Sequence, residues 1–599
     1  MKSFFKYTLA TIVGILIVHI LMIFFFFAFI STLAAFSVKT TDVKNNSVLT
    51  IKLEDEIIDR ASENPFDNID LLSMSPKKNL GLNKILESIK NATTDSRISG
   101  IYLNLTDIQG NFGALAFTEE IREALKKFKT SGKFIYSYSN LGYSQKSYYL
   151  ATVSDKIFVN PETPLLLTGM SSSISFYKET LEKLGIQPEV VKVGKFKSAV
   201  EPFIANEMSE ANREQVKKYL DSSWETLVQG IATSRNIPVD SIEKITDRFN
   251  FYTPEQFKNY GFFDGVVYED QMLVLLKEKC GIGAQEKLNL IALTDYQNAS
   301  VADKTIEINK DKIAVIYAEG EIGMQQTPKT IGPELAQTIR KVREDKNIKA
   351  IVLRVNSPGG SALTSDIIWR EVDLARQAKP VIVSMGNVAA SGGYYISCAA
   401  DTILAEPTTL TGSIGIFGLF FSGEKLLQDK IGIHTDVVKT NEHSDFGGSY
   451  PLPIPISSRP LTPYEKNVLQ NYVNQGYETF LSRVMAGRDM GREELDAIAQ
   501  GRVWTGADAL KIGLVDMLGG LEEAIHIAAA KAGVEKYNIQ EFPVAKNPWE
   551  ELFSGFAGNI KAQLMKEELG AFYSTWEQLR NILPQQGLMA RIPYDIAPN

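Results

Sequence analysis

The sequence predicts an α/β protein built from two tandem repeats behind an N-terminal membrane-spanning helix. Three observations lead there. An uncharged apolar run opens the chain, four segments recur in the same order about 250 residues apart, and β-branched runs such as "AIVLRV" and "PVIVSM" alternate with amphipathic stretches such as "SDIIWREVDLARQA". Alternation of this kind implies βαβ units and a mostly parallel sheet.

After Lys2 and Lys6, no Asp, Glu, Lys or Arg occurs from Tyr7 to Val38, a run that includes Phe24 to Phe27. A helix rising about 1.5 Å per residue crosses the hydrocarbon core in about 20 residues, so this run is long enough to span it. A cleaved signal peptide is the rival reading, prompted by "STLAAF", but its apolar core needs only about 7–15 residues. An uncleaved signal anchor is the expectation. Lys2 and Lys6 favour a cytoplasmic N-terminus with the body outside the cytoplasm, although Lys39 and Lys44 weaken the asymmetry.

The duplication has four markers. "IKNATTDSRISGIYLNL" from Ile89 matches "IRKVREDKNIKAIVLRV" from Ile339, and "YYLATVSDKIFVNPETPLLLTG" from Tyr148 matches "YYISCAADTILAEPTTLTGS" from Tyr394. "LGIQPEVVKVG" from Leu184 matches "IGIHTDVVKTN" from Ile431, and "YTPEQFKNYGFFDGVV" matches "WTGADALKIGLVDML", setting Gly261 against Gly513 and Asp264 against Asp516. The offsets stay between 246 and 252, which unrelated segments do not achieve. The chain therefore divides into a cytoplasmic stub and anchor (1–45), a first repeat (46–280), a linker (281–310), a second repeat (311–535) and a C-terminal helical tail (536–599). Within the tail, "NPWEELFSGF" and "FYSTWEQLRNIL" are amphipathic and expected to pack on the body.

Composition removes several function classes. A length of 599 residues with 44% apolar content supplies more than one core. The net charge of −8, with both signs interspersed, lacks the basic excess of a nucleic-acid binder. Cys280 and Cys398 form no CxxC pair, and His19, His434, His443 and His526 form no paired-ligand pattern. Neither a disulfide scaffold nor a metal site is expected, and no cofactor is called for.

Two small-residue loops can carry chemistry. "RVNSPGGSALTSDI" sits between a strand and a helix, so Pro358, Gly359 and Gly360 turn the chain with exposed amides. Read alone, that suits a simple turn first; the functional reading is an oxyanion hole. "SMGNVAASGGYYIS" places Ser391 at the start of a helix, where a serine serves either as an N-cap or as a nucleophile in the positive field of free N–H groups. The surroundings are not GxSxG, so the α/β-hydrolase elbow does not apply.

A nucleophilic serine needs a base. His434 and His443 have no obvious carboxylate to orient them. Lysine remains, but at its ordinary pKa of about 10.4 only about 0.04% is neutral at pH 7, so a lysine base must be buried and held. The repeats divide the requirement: Gln145 and Lys146 stand where the second repeat has Ser391 and Gly392, whereas "VVKVGKFKSAVEPF" in the first repeat faces "VVKTNEHSDFGGSY", with no lysine beyond Lys439. On residues alone Lys192, Lys195 and Lys197 compete for the role.

"GKFKSAVEPF", "VNSPGGSA", "AASGGYY" and "TLTGSIGIFG", in this order behind an anchor, resemble the signal peptide peptidase A (protease IV) family in its long tandem-repeat form. The resemblance covers nearly the whole chain. It implies repeats of ββα units similar to the Clp protease and crotonase group. It further implies Ser391 as nucleophile, Lys197 as general base, Ser413 as the residue that orients the lysine, and an oxyanion hole from Gly359 or Gly360 with Gly392. By the same resemblance the protein is a membrane-anchored serine endopeptidase with a Ser/Lys dyad that degrades cleaved signal peptides. It would be a homotetramer on the outer face of a bacterial cytoplasmic membrane, with the lipid bilayer as a partner. A crotonase-type acyl-CoA enzyme and a non-catalytic membrane scaffold are the competing classes.

Overall fold

The computed structural model describes residues 6–7, 11, 13–25, 42–544 and 589–591, apart from 62–68, 71–74, 77–78, 107–114, 164, 249–251, 300–308, 328–329 and 448–455. Residues 13–25 are helical. Among the described residues no helix is long and apolar enough to cross a membrane, and residues 8–10, 12 and 26–38 of the expected apolar run lie outside them. Both amphipathic stretches of the expected tail also lie outside the described residues.

Two sheets repeat one plan. In the first, Lys156–Val159, Phe134–Ser139, Ile98–Asn104 and Ser47–Ile51 lie side by side in that order, flanked by Gly265–Val266 and Asn289–Ala292. In the second, Thr402–Ala405, Val381–Ala390, Ile348–Ser357 and Lys312–Glu319 take the same places, flanked by Met517–Leu518 and Asn538–Phe542. All these pairings are parallel. Every residue of Val381–Ala390 is buried, as expected of a strand covered on both faces. The helices lie on the sheets through apolar stripes: in Ala116–Lys129, Ile121, Leu125 and Phe128 recur at helical spacing and are buried.

The duplicated acidic markers have a structural reason. Asp155 and Asp401 each accept an amide in the first two residues of a strand, Ile135 N–H and Val381 N–H, both at 2.8 Å. Asp264 and Asp516 do the same for Ile157 N–H (2.9 Å) and Ile403 N–H (2.7 Å). Arg235 ties Asp264 to the Gly261 carbonyl, and Arg488 ties Asp516 to that of Gly513. Buried backbone donors need partners, so these side chains persist in both halves.

The outer limits of the repeats differ from the expectation. Asn289–Ala292 falls in the stretch read as a linker and Asn538–Phe542 in the stretch read as a tail, yet each closes its sheet beside the strand that opens the repeat. The paired registers are Ser47↔Asn289 and Lys312↔Asn538. The related "EKLN" at 286–289 and "EKYN" at 535–538 are the sequence trace of this strand. Its alternate residues stay partly exposed, which gives it too weak an apolar signal to separate from a loop.

A third sheet joins the repeats. Gln187–Lys192 of the first pairs antiparallel with Phe417–Ser422 of the second, with Lys192 opposite Phe417. The sheet continues through Met589–Arg591, Gly359–Ser361, Glu321–Ile322 and Thr330–Ile331. Below it, the fully buried Arg354 donates to Asp59 (2.7 Å) and Glu120 (2.5 Å) of the first repeat and to Ser384 (2.8 Å) of the second. Acids of the first repeat thus lock the two strands that lead to the glycine loop and to Ser391.

Candidate active site

Ser391 follows the strand Val381–Ala390 and precedes the short helix Gly392–Ser397. The end of that strand, Val388–Ala390, leaves Thr402–Ala405 and pairs with Leu410–Gly412 instead, which carries Ser391 towards Ser413. The serine has φ 55° and ψ −111°, a conformation that costs a non-glycine residue on the order of 1–3 kcal/mol. Two hydrogen bonds hold it there: Ser391 N–H to the Gly412 carbonyl and Tyr395 N–H to the Ser391 carbonyl, each 2.8 Å.

The first repeat shows what an ordinary cap looks like at this helix start. There the helix Gln145–Ala151 begins at Ser144, whose φ is −71° and whose hydroxyl accepts Ser147 N–H at 3.2 Å. Gln145, aligned with Ser391, instead binds the loop at Thr168 and Gly169 through three hydrogen bonds. Ser391 makes no side-chain cap bond. Its hydroxyl is directed elsewhere at the expense of backbone strain.

That hydroxyl meets Lys197. The pairing of Gln187–Lys192 with Phe417–Ser422 delivers the following turn into the second repeat, where Phe196 N–H donates to the Gln500 carbonyl at 3.1 Å. Gln215 fixes the turn from behind. Its amide donates to Phe196 O (3.0 Å) and Ser198 Oγ (2.9 Å), and its oxygen accepts Val503 N–H (3.3 Å). Gly501, at φ 82°, lies so close that an added Cβ would sit 2.7 Å from the Lys197 backbone; one at Gly415 would sit 3.3 Å from Lys197 Cδ. These two glycines form the walls of a narrow lysine channel.

At the end of the channel, Lys197 Nζ lies 2.8 Å from Ser391 Oγ, 3.0 Å from Ser413 Oγ and 3.3 Å from the Ser413 carbonyl. Ser413, at φ 51°, is held by its own N–H to the Arg502 carbonyl (2.7 Å), and its hydroxyl donates to the Gly501 carbonyl (3.3 Å). Lys197, Ser391 and Ser413 are all 0% exposed. Burial holds the Lys197 ammonium well below the usual lysine range, and burial is the cause that acts. The rival lysines do other things: Lys192 Nζ donates to the Lys197 carbonyl at 3.4 Å, and Lys195 Nζ lies over the Phe196 ring at 4.8 Å.

The glycines named in the sequence line the same spot. Gly359 has φ 97° and Gly360 φ 152°, and side chains at these positions would strike the Ala590 and Ile322 carbonyls respectively. Gly359 N–H is engaged by Ser357 Oγ at 3.2 Å. Gly392 N heads the short helix, where no intrahelical carbonyl reaches it, and a Cβ on Gly359 would lie 2.7 Å from that nitrogen. The expectation that His443 has no carboxylate orienter is corrected: its Nδ1 lies 2.9 Å from Glu465, within a network of Arg459 and Asp445. The ring stacks on Tyr464 and Lys197, not His443, reaches Ser391. Gln215, Gly415 and Gly501 were not singled out in the sequence; "GRVWTG" at 501–506, beside the fourth repeat marker, is the trace of Gly501.

The family model described as Peptidase family S49 matches residues 127–283 and 373–535. This chain belongs to peptidase family S49. It is 33% identical over 527 residues to "Serine protease SPPA, chloroplastic" of Arabidopsis thaliana, covering 86% of this chain and 74% of that protein. It is 36% identical over 460 residues to Protease 4 of Haemophilus influenzae (74% and 72% covered) and 35% identical over 491 residues to Protease 4 of Salmonella typhi (80% and 76% covered). The matched family is a peptidase family and the relatives are proteases, so the protein is a serine protease rather than an acyl-CoA enzyme or a non-catalytic scaffold.

Proposed function

We propose that the protein is an endopeptidase in which Ser391 is the nucleophile and neutral Lys197 its general base. The observation that carries this reading is the 2.8 Å approach of Lys197 Nζ to Ser391 Oγ in a fully buried pocket. A neutral amine has two N–H donors and one lone pair. The Ser413 hydroxyl and carbonyl take the two donors, which leaves the lone pair facing the Ser391 hydroxyl. Ser413 can accept from the lysine because its own proton goes to the Gly501 carbonyl. Ser413 is therefore a positioning residue.

Attack of Ser391 Oγ on the scissile carbonyl passes the hydroxyl proton to Lys197, and the ammonium returns it to the leaving amine. Water then repeats the sequence on the acyl-enzyme. The developing oxyanion is met by Gly392 N–H, with the Gly359–Gly360 loop as the opposite wall. Both repeats are needed, the first for the lysine and the second for the serine.

The same proposal takes residual signal peptides as substrates. It takes the apolar run Tyr7 to Val38 as an anchor in a bacterial cytoplasmic membrane, with a Clp-like tetrameric body on its outer face. Peptide hydrolysis by Ser391→Ala and Lys197→Met tests the dyad. Each is expected to lose at least about 100-fold in kcat/KM. Near-normal turnover in either variant contradicts the assignment.

A further inference from the structure

Behind Lys197 lies a line of buried polar side chains that the reaction itself does not touch. The Glu201 carboxylate, 5% exposed, accepts the Ser209 hydroxyl (2.6 Å), Ser209 N–H (3.1 Å) and the Asn212 side-chain amide (2.9 Å). The Asn212 oxygen in turn accepts the Gln215 amide at 3.1 Å. Gln215 ends the line: its amide reaches Phe196 O and Ser198 Oγ, on either side of Lys197, and its oxygen accepts Val503 N–H. Asn212 and Gln215 stand three residues apart on the helix Glu210–Arg235 and share one face of it.

The far end of this line reaches the support of the nucleophile. Val503 stands antiparallel opposite Gly412, whose carbonyl accepts Ser391 N–H at 2.8 Å. One side-chain amide therefore touches both the turn that carries Lys197 and the strand beside the one that holds Ser391. The polarity of the line is set at its origin. A carboxylate offers acceptors only, so the Asn212 NH2 faces Glu201, the Asn212 oxygen faces the Gln215 NH2, and the Gln215 oxygen is left for Val503 N–H. Buried amides cost stability unless paired, so an apolar helix face would pack here more cheaply; what the bonded line adds is a single geometry. Burial alone holds the Lys197 ammonium down, so Glu201 acts on the lysine by placement rather than by charge.

We propose that Glu201, acting through Asn212 and Gln215, is the positioning carboxylate of the dyad: it fixes the polarity of a relay that keeps the lysine turn in register with the strand behind Ser391. This rests on the reading of Lys197 as base and Ser391 as nucleophile. None of the three residues touches substrate or a reacting atom. Their contribution is the approach of Nζ to Oγ, and a misplacement of about 1 Å in such a pair costs on the order of 100-fold in rate.

The test uses the full-length chain with Glu201→Leu, Glu201→Gln and Gln215→Met, at a temperature where melts show each variant folded. Glu201→Leu and Gln215→Met are expected to lower kcat for a peptide by about 10–100-fold at unchanged KM. Glu201→Gln is the conservative control. Ser209 N–H demands an oxygen at one end of the new amide, that oxygen still accepts from Asn212, and its NH2 faces the Ser209 hydroxyl, so kcat should stay within about 3-fold of the unaltered protein. A loss in Glu201→Gln as large as in Glu201→Leu overturns the proposal, because charge and not polarity would then be what counts. The double variant Glu201→Leu with Gln215→Met should be no slower than Gln215→Met alone, and losses that multiply overturn the relay.

A second arm separates this proposal from the dyad it rests on. The rate of Ser391 modification by a fluorophosphonate is measured with Gln215→Met, with Lys197→Met and with both. Positioning through the lysine predicts that Gln215→Met slows the reaction only while Lys197 is present, whereas a merely structural role slows it equally in both backgrounds and overturns the proposal. A slow Lys197→Met with that equal loss removes the relay alone. A wild-type rate in Lys197→Met removes the base assignment, and the relay with it.

Discussion

Removal of the Ser413 hydroxyl probes how the lysine is aimed. In Ser413→Ala, Lys197 Nζ loses its 3.0 Å acceptor but keeps the Ser413 carbonyl at 3.3 Å and Ser391 at 2.8 Å. One net hydrogen bond is worth about 0.5–1.5 kcal/mol, which corresponds to a fall of roughly 2–12-fold in kcat at unchanged KM. The loss of an acceptor also disfavours the ammonium, so the acid limb of the rate profile moves to lower pH. Ser413→Gly is the control. It lacks the hydroxyl too but relieves the φ of 51°, and it should lose the same activity if the hydroxyl rather than backbone strain is responsible. Steady-state peptide hydrolysis from pH 6 to 10 measures all three quantities. An unchanged kcat, or a loss as large as that of Lys197→Met, refutes the positioning role.

Three further outcomes follow from the same geometry. Lys197→Met should lower activity at least about 100-fold yet raise the Tm. Because the folded state binds fewer protons than the unfolded chain between the depressed and the ordinary lysine pKa, wild-type stability rises with pH there. The gain from Met is therefore largest at low pH and shrinks towards the ordinary lysine range, and a gain that does not vary with pH would contradict the linkage. Gly501→Ala, which sets a Cβ 2.7 Å from the Lys197 backbone at φ 82°, should cost about 1–3 kcal/mol of stability and lower kcat, read by thermal melts and turnover; wild-type values for both would mean the channel wall is not tight. Arg354→Leu strands Asp59 and Glu120 in the core, with an expected loss of about 3–5 kcal/mol. That loss should be smaller at pH 5 than at pH 8, because burial already favours the protonated Glu120, and a loss independent of pH in denaturant titrations would argue against trapped carboxylates.

Much of this arrangement could be read from the sequence, for physical reasons that vary by residue. The duplicated Asp and Gly markers were visible because they satisfy amides in the first two residues of strands in both repeats and cannot drift. Ser391 is ambiguous by composition, and the first repeat supplies a contrast that supports the proposed role. Ser144 caps the matching helix in an ordinary conformation, whereas Ser391 accepts strain and points at an amine. The choice among Lys192, Lys195 and Lys197 was not legible from spacing, because it is set by the antiparallel register of Lys192 with Phe417 between strands more than two hundred residues apart.

Other features were missed because their signal is local and weak. The edge strands at 289–292 and 538–542 have no clean alternation. The strand Met589–Arg591 is three residues long and is marked only by its pairing with Gly359–Ser361. The sequence gives His443 no obvious carboxylate, since Glu465 lies 22 residues away and only the fold brings them together.

In the proposed mechanism a neutral, buried Lys197 takes the proton from Ser391. The measurement that tests it most directly is the pH dependence of Ser391 modification by a fluorophosphonate in the wild type and in Lys197→Met. The wild-type rate should rise with pH and level off below the ordinary lysine value of about 10.4, and Lys197→Met should keep a residual rate without that limb. A wild-type rate still climbing past that value, or the same limb in both proteins, would contradict it.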